Sequence, residues 1–244
     1  MHRFFIPKPF KQEMKITGRD AHHILDVLRM DIGDSLQIVT DDGVSFVGEI
    51  TTVGTNTVMV LAKEILRDSH EPDVQISLLQ GLAKGDKIDL IIQKAVEIGI
   101  AEIFPVAMVH SVVVLDGSRA EKKVERWQKI AEAAAKQSKR DSIPTVHEVM
   151  KLDQILQQEK WDLLLVAYES ENQVSLKEVL QSHKEAMTIG VVIGPEGGLS
   201  TEEVEAAQKQ GGIAVSLGRR ILRTETAGLV AATAILYETD NLGM

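Results

Sequence analysis

"GVVIGPEGGLSTEEVEAA", residues 190–207, joins an apolar strand to a helix through a turn almost bare of side chains. The apolar run ends at Ile193, and Gly194, Pro195, Glu196, Gly197 and Gly198 follow. Ser200 with Glu203 then makes a capping-box pattern that opens a helix. Glycines carry no Cβ, so main-chain N–H and C=O groups here can approach a flat or charged ligand closely. In open α/β sheets ligands sit beyond the carboxyl ends of strands, where this turn lies. No Gly-Lys-Ser/Thr follows, which excludes a phosphate-binding P-loop, and the G-x-G-x-x-G dinucleotide pattern is not matched. The same residues would also suit an ordinary strand-to-helix turn.

Outward from this stretch, strands and helices alternate. Apolar runs recur at 74–80, 102–108, 162–168, 188–194 and 213–218. Between them, Ile88, Ile91, Ile92, Ala95 and Ile98 form one helical stripe, and Val124, Trp127, Ile130, Ala131 and Ala134 another. Ser118 with Glu121 and Ser175 with Glu178 repeat the capping box. Near-continuous apolar strands separated by helices predict a mostly parallel sheet covered on both faces. Residues before 66 read differently, as short strands broken by "TDDG" and "VGTN". Asp42-Gly43 predicts a hairpin turn. "GRDAHHILDVLRM", 18–30, predicts one helix with Ile24, Leu25, Val27 and Leu28 on its apolar side. The polar stretch 66–75, with Pro72, sets the expected boundary between a small β-barrel domain, 1–72, and an α/β domain, 73–244.

The chain has 244 residues, no cysteine and a net charge of −9. Absence of cysteine removes disulfides, thiolate nucleophiles and Cys-ligated zinc, and is compatible with a reducing cytoplasm. No apolar run approaches the ~20 residues of a membrane span, so no membrane partner is expected. Charge is unevenly placed. Residues 1–30 carry six basic groups against three acidic ones, and 119–140 carry eight against three. Arg219, Arg220 and Arg223 form a third cluster. These groups permit a basic face on an acidic protein, or plain solvated helix surfaces.

"VSLGRRILRTETAGLVAATAILYE", 215–238, repeats the strand–glycine–helix logic. Thr224, Glu225 and Thr226 suit a helix start. Arg223 opposes the helix dipole there, which points to a ligand, since arginine matches phosphate or carboxylate bidentately. In "LLQGLAKGDKIDLIIQKAVEIGI", 78–100, Asp86 reads as an N-cap and Lys94 with Glu97 as an intrahelical pair. Lys84 and Lys87 read as phosphate contacts or as solvated lysines. The histidines at 22, 23, 70, 110, 147 and 183 show no ligand spacing, so no metal is expected. No G-x-S-x-G elbow is present.

Three stretches, "QGLAKGDKIDLIIQKAVEIGI", "IGPEGGLSTEE" and "LGRRILRTETA", together resemble the signature segments of the SPOUT (α/β-knot) RNA methyltransferases. Within them, the chain is similar to the group that methylates uridine N3 in 16S ribosomal RNA. "HSVVVLDGSRAEKKVERWQKIAEAAAKQSKRDSIPTV" and "HRFF…HHILDVLRM" extend the likeness over nearly the whole chain. One departure is Arg219, where the group usually has proline. The resemblance implies a C-terminal SPOUT α/β domain with a trefoil knot, a small N-terminal PUA-like β-barrel that helps hold RNA, S-adenosyl-L-methionine as cofactor, and a homodimer. It implies a cofactor pocket from Ile193, Gly194, Pro195, Glu196, Gly197 and Gly198, from Ser216, Leu217, Gly218, Ile221, Leu222, Arg223 and Thr226, and from Tyr168 and the loop after it. Uridine N3 is a poor nucleophile while protonated, so the site should favour its anion. Arg223 is the candidate for orientation and charge stabilisation, with Glu225 or Glu196 as proton acceptor. Arg3, Arg29, Lys84 and Arg140 are candidates for phosphates of 16S ribosomal RNA or the assembled small ribosomal subunit. Two other readings remain: a non-catalytic RNA-binding ribosome-assembly module, and a nucleotide-binding enzyme acting on small molecules.

Overall fold

The structure is a computed structural model that describes residues 1–66 and 71–242. Residues 67–70, which include His70 and part of the polar boundary stretch, and 243–244 lie outside the described residues. The chain groups into two units, Met1–Glu71 with Lys139–Ser142, and Pro72–Ser138 with Ile143–Met244.

The first unit is a five-stranded sheet in the order β1-β3-β4-β5-β2, with β1 Arg3–Ile6, β2 Glu13–Thr17, β3 Ser35–Thr40, β4 Ser45–Gly54 and β5 Thr57–Leu66. All pairs are antiparallel except β1 with β3. Gly43 takes φ +78° in the tight turn before β4, where an L side chain would be strained. Irregular pairing between β4 and β5 at Val47/Gly48 and Ile50/Thr52 bends the sheet around a core of Leu36, Ile38, Phe46, Ile50, Val58 and Val60. The expected single helix is instead a short helix α1, Gly18–His22, running into a π-helical turn, His23–Val27. The wider i→i+5 spacing shifts later side chains around the axis. Ile24 is therefore fully buried while Val27, expected inside, is 59% exposed.

The second unit is a seven-stranded, all-parallel sheet. Its path is β12-β10-β11-β6-β7-β8, and β9 also pairs with β7. The five expected strands are β6 Gln75–Gly81, β7 Glu102–Ala107, β10 Leu163–Ala167, β11 Thr188–Ile193 and β12 Ile213–Val215. Two more, β8 Thr145–Val146 and β9 Met150–Lys151, are too short to leave a periodic signal. The helices are α2 Lys87–Ile98, α3 Gly117–Gln137, α4 Leu152–Gln158, α5 Leu176–Ser182, α6 Thr201–Lys209 and α7 Thr224–Glu238. α4 and α6 bury Ile155, Leu156, Val204 and Ala207 against Leu79, Phe104, Val166 and Val192. α7 packs on β6 and β11, with α2 beside it. Covering both faces explains the continuous apolar strands. The Ser175–Glu178 and Ser200–Glu203 capping boxes form as expected. Ser118 does not cap, because α3 begins one residue earlier, at Gly117.

Candidate functional site

The path β12-β10-β11 sets three carboxyl ends side by side, so the loops after Ala167, Ile193 and Val215 open on one crevice. A cavity of about 380 Å³ lies there, within the roughly 300–1,000 Å³ of small-molecule sites. Tyr168, Ile193, Gly194, Pro195, Glu196, Gly198, Ser216, Leu217, Gly218, Ile221, Leu222, Arg223 and Glu225 all line it. Gly197 and Thr226 do not. A Cβ on Gly197 would stand 2.8 Å from the His110 Cβ, so that residue faces another loop, and Thr226 is exposed on the first turn of α7.

Glycine is required twice in the first loop. A Cβ on Gly194 would stand 2.8 Å from the Gly198 carbonyl carbon and 2.9 Å from the Leu199 nitrogen. Gly198 takes φ +74° and lies against the Glu169 carboxylate. In the second loop Gly218 takes φ +110° with open space over its Cα. Among the described residues, the main-chain groups of Arg219, Arg220, Ile221 and Leu222 join no hydrogen bond, so they are free to read a ligand's polar edge. Leu217, Leu222, Ile193, Leu199 and Ala227 supply apolar wall.

A chain of charges runs along the crevice. Lys87 Nζ stands 2.8 Å from Glu196 Oε1 and 3.7 Å from Glu225 Oε2, and Arg223 Nη1 stands 3.9 Å from Glu225 Oε1. The Lys84 main-chain N–H donates to Glu196 Oε1 at 3.0 Å. Burial pushes the Glu196 carboxyl up, but the hydrogen bonds from Lys87 and Lys84 outweigh it and hold the group below its ordinary range. The hydrogen bond to Glu196 raises Lys87. Glu225 Oε2 is buried without a hydrogen-bond partner.

Lys87, read from sequence only as a phosphate contact or a solvated lysine, is the centre of this chain. Gln80, Glu169 and Thr224 also belong to the site or its support. Glu169 carries one signal in the sequence, its place just after the apolar strand 162–168. Of the RNA candidates, Arg29 and Lys84 are exposed. Arg3 and Arg140 are not: they are 7% and 4% exposed. Arg3 donates to the Lys139 and Arg140 carbonyls and, at 3.1 Å, to Asp141, while Arg140 pairs with Glu71. Guanidinium groups committed inside the first unit are poorly placed to meet a phosphate. Among the described residues, no cluster of three His, Asp or Glu side chains is set to hold a metal.

A family model described as an RNA methyltransferase domain matches residues 70–236, and one described as an RNA methyltransferase PUA domain matches 16–60. Ribosomal RNA small subunit methyltransferase E of Bacillus subtilis (strain 168) is 38% identical over 252 residues, covering 99% of this chain and 98% of the relative. The chain belongs to this RNA methyltransferase family. Another member, ribosomal RNA small subunit methyltransferase E of Mesomycoplasma hyopneumoniae (strain 232), is 30% identical over 98% of this chain and 100% of the relative. Among solved structures, ribosomal RNA small subunit methyltransferase E from Neisseria gonorrhoeae bound to S-adenosyl methionine aligns with a TM-score of 0.83. It is 30% identical and covers 97% of each chain. The methyltransferase model spans nearly the whole α/β unit, including all three crevice loops.

Proposed function

We propose that this protein transfers a methyl group from S-adenosyl-L-methionine to N3 of a uridine in 16S ribosomal RNA. The observation that carries the reading is the crevice itself. It joins two glycine-bearing loops, unpaired main-chain groups at 219–222 and an apolar wall, which is chemistry suited to a nucleoside rather than a triphosphate. When bound, the cofactor supplies an activated methyl group; the protein aligns the nucleophile and handles one proton. Ile193 to Glu196, Gly198 and Ser216 to Leu222 would hold the cofactor.

Arg223, at the cavity mouth, orients the uracil and stabilises charge that builds on its carbonyl oxygens. A carboxylate held below its usual range is a weak base, so Glu196 serves to anchor Lys87. Glu225, with a buried oxygen that lacks a hydrogen-bond donor, takes the N3 proton. Arg29 and Lys84 are the candidates for RNA phosphates, with the first unit assisting in RNA binding. The boundary near residue 72, a trefoil knot near the C-terminus and a cytoplasmic location belong to the same proposal. Among the described residues, no helix is long and apolar enough to cross a membrane. Mass spectrometry of 16S ribosomal RNA tests the reading. Cells lacking the protein should lose one N3-methyluridine, and an unchanged modification profile would overturn the reading.

The working form is proposed to be a homodimer. α7, "TETAGLVAATAILYE", is apolar nearly all round, and such a helix belongs in an interior. One side is buried through Ala231, Ala232, Ile235 and Leu236, while Val230 and Tyr237 are 39% and 70% exposed beside a groove containing Leu176, Leu217 and Ala234. Light scattering should give twice the chain mass, falling to one chain mass for Tyr237→Glu. A monomeric parent protein rejects the dimer.

A further inference from the structure

Three residues far apart in sequence meet in one buried hydrogen-bond relay. Gln80 sits near the end of β6, opposite Ile193 of β11, and is 1% exposed. Its Nε2 donates to Thr224 Oγ1 at 2.8 Å and to the Gly81 carbonyl at 3.1 Å. Thr224 Oγ1 in turn donates to the Gly194 carbonyl at 2.7 Å. The directions are mutually consistent: flipping the amide would set its oxygen against the Gly81 carbonyl. Gly81 also has Pro195 close against it, with 2.6 Å from the Pro195 nitrogen to where a Cβ would stand.

Two features set this relay apart from ordinary packing. The Gln80 Oε1 is buried without a partner, a cost that an apolar side chain of similar size would avoid. Thr224 stands at the start of α7, yet its hydroxyl reaches the Gly194–Gly198 loop, and the preceding residue, Arg223, makes no side-chain cap. The hydroxyl therefore ties Gly194 to the first helical turn, on which Arg223 and Glu225 flank Thr224.

We propose that Gln80 and Thr224 are positioning residues that hold the Gly194–Gly198 loop in register with Arg223 and Glu225. The idea rests on the methyl-transfer reading above. Misplacing reacting groups by about 1 Å costs on the order of a hundredfold in rate, so a single relay bond has leverage on turnover.

The test compares Thr224→Val, which keeps the shape and removes the hydroxyl, with Thr224→Ser, which keeps the hydroxyl, and adds Gln80→Leu. Five quantities are measured: affinity for S-adenosylmethionine by calorimetry, kcat and KM on small-subunit RNA, melting temperature, and hydrogen exchange of the peptide spanning 194–199. Thr224→Val and Gln80→Leu should lower kcat by about ten- to a hundredfold, with a melting temperature lowered by no more than several degrees and faster exchange at 194–199. Thr224→Ser should recover most of kcat and the slow exchange. Thr224→Val with wild-type kcat, Thr224→Ser falling as far as Thr224→Val, or unchanged exchange in Thr224→Val would each overturn the relay. A parent protein that neither binds S-adenosylmethionine nor methylates RNA overturns the functional reading instead, and the exchange comparison still decides whether the relay holds the loop.

Discussion

Arg223→Ala is expected to lower methyl transfer by about a hundred- to a thousandfold, the cost of removing a preorganised charge-stabilising donor, and to leave folding intact. The Arg223 side chain is 82% exposed, so truncation opens no cavity. It sits at the N-cap of α7 with no side-chain cap bond, where a cation opposes the helix dipole by about 0.3–1 kcal/mol. Losing it should leave the melting temperature unchanged or slightly raised. Arg223→Lys separates charge from shape. If the planar fork matters, lysine restores only a small part of the rate. Turnover near wild type in Arg223→Ala rejects the role assigned to this residue.

Gly194→Ala is expected to weaken S-adenosylmethionine binding by at least about a hundredfold, equivalent to roughly 2.7 kcal/mol. The added methyl would press on the Gly198 carbonyl carbon and the Leu199 nitrogen at under 3 Å. Both are main-chain atoms, so no flexible side chain can move aside. Nor can the loop retreat freely, because Thr224 holds the Gly194 carbonyl. Overpacking of this kind costs about 1–3 kcal/mol, which should also lower the melting temperature by several degrees. Calorimetry showing parental affinity in Gly194→Ala would mean that this loop does not form the donor site.

Much of the α/β unit was legible because its strands are buried on both faces and so read as continuous apolar runs. The two glycine-bearing turns could be found from sequence because each follows such a strand and precedes a helix. Their family resemblance named the ligand class. The π-helical turn at His23–Val27 escaped, since the residues of "HHILDV" satisfy an α-helical pattern and only packing selects the wider turn. Arg3 and Arg140 were misread for a related reason. Charge counting treats arginine as surface, and their partners include main-chain carbonyls and carboxylates as far as 138 residues away in sequence.

Local chemistry therefore decided where strands end, where helices begin and which turns lie bare, because those features depend on neighbours within a few residues. Meetings between distant segments were decided only by the tertiary structure: Lys87 between Glu196 and Glu225, and Gln80 with Thr224 and Gly194. Hydrogen bonds and ion pairs require contact within a few ångströms, and strand order in a parallel sheet creates those contacts without leaving a periodic trace in the chain.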